Sequence, residues 1–193
     1  MAIQSAPSAP GKRVLAAART RQGLLDAGLR LAETTGLEGL SVNLLVENAG
    51  VSKGTFFHHF GDRTTYLVEL HREFHDKLVA RVQESVAGLE LGRERLSAVA
   101  QAYLDACLRY RGVKALLLEA RGSTVIVDEV ARRNADTARL LEDDFRAMGW
   151  TSPLQSARLW IAMIAEAALV ELEHGRKHAQ TRDALAQFIA TAR

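Results

Sequence analysis

At 193 residues, with 48% hydrophobic and 25% charged side chains, the chain has the balance of a globular protein rather than a disordered one. It has no run of about 18 uncharged apolar residues, which excludes a membrane-spanning helix, and its lone cysteine, Cys107, excludes a disulfide framework and a multi-cysteine zinc site. The formal charge of +2 is uneven: residues 1–25 carry Lys12, Arg13, Arg19 and Arg21 and no acid, a basic arm that suits either an anionic partner or plain solvation.

Prolines stand only at 7, 10 and 153, and the stretches between glycines are rich in Ala, Leu, Arg and Glu. These are strong helix formers, so an all-α fold is expected. Residues 1–11 read as a flexible tail. A first helix follows from Val14 to Thr35, with Leu24, Ala27, Gly28 and Leu31 on one buried face and Gly36 as its stop. Ser41 is placed to cap a short helix to Ala49, Ser52 another to Phe60, and Asp62 a long one to about Val86. Further helices are expected over 93–110, 113–121 and 125–148. Pro153 suits the first turn of a helix to His174, and Asp183 to Thr191 closes a chain of about nine helices. Val125-Ile126-Val127 is strand-like but too short to build a sheet.

The segment Ser41 to Phe60, SVNLLVENAGVSKGTFFHHF, has the pattern of a helix-turn-helix. Gly50 supplies positive φ at the reversal, and Val42, Leu45 and Val46 can face Val51, Phe56 and Phe60 across it. The second helix opens with Ser-Lys-Gly-Thr, a small polar start with one cation that can approach DNA closely and offer N–H groups to phosphate.

At these residues the sequence resembles the tetracycline-repressor (TetR) family of bacterial transcriptional regulators. The resemblance runs from about Arg21 to Leu70. It is carried by Leu24-Leu25-Asp26-Ala27, by Glu47-x-Ala49-Gly50-Val51-Ser52-Lys53-Gly54-Thr55, by Phe57-His58-His59-Phe60, and by Arg63. It implies a cytoplasmic homodimer with a DNA-binding unit over residues 12–61 and an effector-binding and dimerisation unit over 62–193. The implied partners are a palindromic operator and a small-molecule effector, with no cofactor, metal or membrane. Lys53 and Arg63 would neutralise phosphates, Ser41 and His59 would hydrogen-bond the backbone, and Ser52 is a further expected DNA-binding residue. Thr55, His58 and Asn43 would reach base edges, Gly54 would permit close approach, and Phe57 stands where the family usually has tyrosine. Asn43 replaces a common basic residue, and Val46 a common alanine. Phe56 and Phe60 are expected in the core.

From Leu159 to Val170 every residue but Glu166 is apolar, on all sides of the helix, which suits contact with the protomer's core on one side and a partner on the other. Ala165, Ala168 and Leu169, with Leu185, Phe188 and Ile189 of the last helix, are the expected dimer seam. The effector pocket is expected beside Phe74 and Leu78 of the long helix, closed by Tyr103, Cys107, Phe145, Trp160, Met163 and Ile164, and the ligand is expected to be largely hydrophobic. Each of these residues serves equally as core. Glu166 is left as solvent-facing, paired at the seam or facing a ligand.

His71 and His75 lie four apart and invite a metal, but no third ligand is evident, so an ordinary polar helix face is favoured. His174 and His178 share that spacing with Gly175 between them. Asp143-Asp144 is expected to be solvated, and Cys107 to be a small buried residue. No nucleophile elbow, phosphate-binding loop or dinucleotide motif is present, so an enzyme is not expected. A regulator that ignores effectors, an activator, and a helical interaction protein that does not act on DNA remain as alternatives.

Overall fold

The computed structural model describes residues 11–109 and 126–190. The expected helix over 113–121 and most of the N-terminal tail lie outside these. Among the described residues there are eight α-helices and no strand: α1 (Lys12–Thr35), α2 (Val42–Ala49), α3 (Lys53–Phe60), α4 (Arg63–Ser85), α5 (Arg93–Arg109), α6 (Val127–Ala147), α7 (Pro153–His174) and α8 (Ala179–Ala190). The all-α expectation holds, with boundaries mostly within two residues. The exception is α8, which begins four residues early because the His178 carbonyl accepts from the Thr181 and Arg182 N–H groups.

The starts of α2, α3 and α4 are set by local chemistry. Ser41 Oγ accepts from the Leu44 N–H at 3.2 Å, Ser52 Oγ from the Thr55 N–H at 3.1 Å, and an Asp62 carboxylate oxygen from the Thr65 N–H at 2.7 Å. Each satisfies a donor the helix cannot pair itself, worth about 1 kcal/mol. Pro153 opens α7, and Gly175 ends it in a left-handed conformation.

Helices α1–α3 close around Leu24, Leu45, Phe56, Phe60 and Tyr66, all buried. The Tyr66 hydroxyl crosses to α1 and donates to the Leu24 carbonyl at 2.9 Å. Gly28 makes room for it: a Cβ there would lie 1.9 Å from the Tyr66 hydroxyl oxygen. Helix α4 packs on α1 and α3 at one end and on α5 and α6 further along; α6 lies against α7, and α5 and α8 cover α7 on its other sides. Thus α4 is the element shared by the helix-turn-helix and the rest of the protein.

Two buried acids tie the second region together. Asp144, fully buried, takes both guanidinium bonds of Arg95 (2.8 and 2.6 Å) and the Gly92 N–H. The expectation that Asp143-Asp144 is solvated is therefore corrected for Asp144, which faces the α4–α5 connection, while Asp143 is exposed. Glu171 of α7 is also fully buried and binds Arg182 of α8 at 2.7 Å. Burial alone would raise its pKa, but Arg182 and the His178 N–H outweigh that and hold it below the usual carboxylate range.

Candidate nucleic-acid interface and interior cavity

The turn between α2 and α3 is closed by its own backbone. Gly50 sits at φ 66°, ψ 33°, its N–H bonded to the Glu47 carbonyl, and the Val51 N–H reaches the Val46 carbonyl at 3.0 Å. These are the bonds of a glycine-terminated helix. Phe56 and Phe60 point inward as expected, so the opposite face of α3 turns to solvent. Lys53, Gly54, Phe57 and His58 are exposed on it, and Ser41 and Asn43 are exposed at the start of α2. Lys12, Arg13 and Arg19 are exposed on α1.

Gly54 is informative because nothing within the chain requires it. It is helical, and a Cβ there would meet only Ser52 Oγ, at 3.6 Å, an ordinary contact. A glycine inside a helix costs stability relative to alanine, so here it leaves bare backbone on the outward face without relieving any internal crowding.

Three expected contacts are modified. The Thr55 hydroxyl is half-buried and 2.9 Å from Ser52 Oγ, so both hydroxyls are already engaged with each other. His59 is half-buried; burial first, then His58 and Arg21, lower its pKa, which keeps the ring neutral at pH 7. Arg63, expected on a phosphate, instead donates to the carbonyls of Leu40 (2.8 Å), Leu37 (2.7 Å) and Glu38 (3.3 Å). Its guanidinium braces the first turn of α4 against the α1–α2 corner through Nε and one Nη.

A cavity of ≈160 Å³ lies between α4, α5, α6 and α7. Of the residues expected to form the effector pocket, Leu78, Tyr103 and Ile164 line it; Phe74, Cys107, Phe145, Trp160 and Met163 do not. Phe145 is packed edge-on against Trp150, and Trp160 stacks on Phe188 with ring centroids 5.9 Å apart. Cys107 is buried, which pushes its thiol up to about 12. Phe74 is buried in the core, and Met163 packs against it half-buried. The sequence reading missed His75, Gln83, Asn134 and Thr137, which line the same cavity. Polar residues at helical spacing gave no sign of facing inward.

The expected dimer seam also needs correction. Ala168, Leu169, Leu185 and Ile189 are buried within the single chain, Ala165 lines the cavity, and Phe188 is half-buried between Trp150 and Trp160. The face of α7 left open carries Leu159, 62% exposed, with Ala162 and Glu166; Ala184 and Gln187 are exposed on α8. A helix apolar all round does not declare which side its own protomer covers.

His71 and His75 are not on a polar face. They are 1% and 7% exposed, with ring centroids 5.0 Å apart, and both nitrogens of His71 and Nδ1 of His75 lack a hydrogen-bond partner. Burial lowers each pKa to about 4. Among the described residues no group of three or more ligand-type side chains could hold a metal. Beside the pair, Glu129 of α6 is held by Arg72 of α4 and by Arg132 and Arg133. Those cations outweigh burial and lower its carboxyl to about 2. Arg72 also binds Glu69, which binds Arg21, so one ion-pair chain joins α6 through α4 to α1.

Residues 24–70 match the model of the family described as bacterial regulatory proteins, tetR family. The transcriptional repressor AcnR of Corynebacterium efficiens is 36% identical over 66 residues, which cover 34% of this chain and 35% of that protein. The transcriptional repressor KstR2 of Mycobacterium tuberculosis is 30% identical over 95 residues, 49% of this chain and 48% of that one. The chain thus spans about a third to a half of the length of these relatives. Among solved structures, a transcriptional regulator from Rhodococcus superposes with TM-score 0.75 at 25% identity, over 89% of this chain and 95% of that one. FadR of Bacillus subtilis, solved with stearoyl-CoA, shares the fold with TM-score 0.72 at 15% identity, over 89% and 98%. Among the described residues no helix is long and apolar enough to cross a membrane.

Proposed function

We propose, for a chain that belongs to the TetR family by its residues 24–70 and by its fold, that it is a dimeric regulator which binds a palindromic DNA site and is released by a small molecule held in the interior cavity. The observation that carries this reading is the outward face of α3, where Lys53, Gly54, Phe57 and His58 stand exposed on a helix-turn-helix whose inward face is fully packed. Lys53 supplies charge to a phosphate, His58 reaches a base edge, and the bare backbone at Gly54 lets the helix sit close to the groove. Phe57, 48% exposed, has no hydroxyl for a phosphate and makes apolar contact with sugar or a thymine methyl. The names of the relatives favour repression over activation.

Residues 12–61 act as the reading unit and 62–193 as the regulatory unit, in a bacterial cytoplasm. Two copies meet through the open face of α7 around Leu159 and Ala162 together with the outer face of α8, in an arrangement that lets both α3 helices reach one duplex. Release works through α4. Arg63 fixes its start to the corner beside α2, and His75, Leu78 and Gln83 form one wall of the cavity further along. A ligand that prefers a tilted α4 changes the separation of the two α3 helices; one with equal affinity for both arrangements shifts nothing.

Selection of bound duplexes from a random-sequence pool tests the proposal. The expected result is a palindrome whose half-site centres are about 34–36 Å apart, or a multiple of one turn. Recovery of no sequence preference contradicts it and favours a helical interaction protein.

A further inference from the structure

We infer that the cavity takes an uncharged, apolar molecule about the size of one aromatic ring, bearing a single hydroxyl seated beside His75, Asn134 and Thr137; this rests on reading the cavity as the effector site. Two chambers meet there. The inner one, ≈160 Å³, has aliphatic walls that include Leu78, Val99 and Ile164. The outer one, ≈260 Å³, opens beside Asp76, Arg133 and Asp136. His75, Gln83 and Thr137 line both, together with Val79 and Leu140, so three polar side chains stand where the chambers join.

Size follows from the volume of the inner chamber, since apolar cavities of about 150 Å³ accept a benzene-sized ring. Charge follows from the state of the arginines. Arg95, which lines the inner chamber, already spends its guanidinium on both oxygens of buried Asp144. Arg133, in the outer chamber, is held by Asp76 and Glu129. A carboxylate that drew Arg95 away would leave buried Asp144 without its cation, and Arg133 is already shared between Asp76 and Glu129, so neither of these arginines, among the described residues, stands as a free counterion. His75 does not replace the missing cation, because burial keeps its ring neutral at pH 7.

The hydroxyl follows from the donors and acceptors of His75 and Thr137 at the junction and of Asn134, which lines the inner chamber. Thr137 Oγ1 donates its hydrogen to the Arg133 carbonyl at 2.9 Å, so toward the cavity it can only accept. The Asn134 amide both donates and accepts, and a neutral imidazole has one nitrogen of each kind. A hydroxyl is the smallest neutral ligand group that donates a hydrogen bond to Thr137 and accepts one from Asn134 or His75; an ether or ketone only accepts, and a hydrocarbon leaves the junction unpaired.

The test is calorimetric titration of the full chain at pH 7 with three probes of one shape: 4-methylphenol, toluene and 4-methylbenzoate. The expected result is saturable binding of 4-methylphenol about tenfold tighter than toluene, the value of one good hydrogen bond, and no binding of 4-methylbenzoate. His75→Phe and Thr137→Val should each bring 4-methylphenol close to the affinity of toluene and leave toluene unchanged. Equal affinity for the phenol and toluene, tighter binding of the benzoate, or no saturable binding of the phenol overturns the inference. DNA binding is measured on the same samples. Selective DNA binding without phenol binding removes the ligand class alone, whereas phenol binding that depends on His75 without any DNA binding upholds the ligand class and removes the regulator.

Discussion

Acidification should unfold this protein by a route that begins at His71 and His75. Both rings are neutral and buried in the folded chain, with pKa values lowered to about 4, and titrate near 6.5 once unfolded. Burial is the leading cause. The charges around the rings act in both directions: Glu129 raises both and Asp76 raises His75, while Arg133 lowers both. The unfolded chain therefore takes up protons first as pH falls. Stability is complete above about pH 7, declines as pH passes through 6.5, and stops declining on this account near pH 4. The slope is about 1.4 kcal/mol per pH unit for each histidine, so between pH 7 and pH 5 each removes about 2 kcal/mol, and the pair roughly 3–4. Glu129, whose carboxyl lies at about 2, contributes little in that window. Urea unfolding followed by circular dichroism, at one protein concentration and several pH values, measures the loss. His71→Gln should remove about half of it and His71→Gln with His75→Gln nearly all, relative to each variant's own stability at pH 7. A double variant that loses stability between pH 7 and 5 as steeply as the wild type refutes the reasoning.

Gly54→Ala should raise stability by up to about 1 kcal/mol, because its Cβ meets only Ser52 Oγ at 3.6 Å, yet weaken DNA binding by crowding the groove; thermal melts and fluorescence anisotropy read the two effects separately. Leu159→Glu should give a folded monomer by sedimentation, since this side chain is 62% exposed in the protomer. Ala168→Glu should instead prevent folding, because that position is fully buried and an unpaired charge there costs several kcal/mol. Glu129→Gln should leave Arg72, Arg132 and Arg133 without their shared anion and cost about 1–2 kcal/mol, since each arginine is partly exposed and keeps Glu69, Asp136 or Asp76; an unchanged urea midpoint would show that the network is not a tie between α4 and α6.

The helix-turn-helix was legible because its determinants are local. Three capping side chains and one left-handed glycine lie within the segment they shape, and all four act as their positions suggested. The cavity was not legible in the same way, since four helices from separate parts of the chain supply its walls. Aromatic and soft side chains drew attention to Phe145 and Trp160, which are consumed by contacts with Trp150 and Phe188. His71 and His75 show the same limit from the other side. Their spacing places them on one face of α4, but only the packing of other helices, α6 with its Glu129 and Arg133 among them, makes that face interior. On α7 the difficulty is symmetry: with apolar residues on every side, the covered side is chosen by α5, α6 and α8. The bracing role of Arg63 was hidden because a cation next to a reading helix suggests phosphate, while the carbonyls it binds, those of Leu37, Glu38 and Leu40, belong to a corner whose position is set by folding.

The central claim is that α3 docks on DNA with Lys53 against a phosphate. The salt dependence of binding to the selected duplex, measured for wild type and Lys53→Ala, tests it most directly. The account predicts weaker binding to specific and random duplex alike, with the slope of log K against log salt reduced in magnitude by about one unit per protomer. Unchanged affinity and an unchanged slope for Lys53→Ala would contradict it.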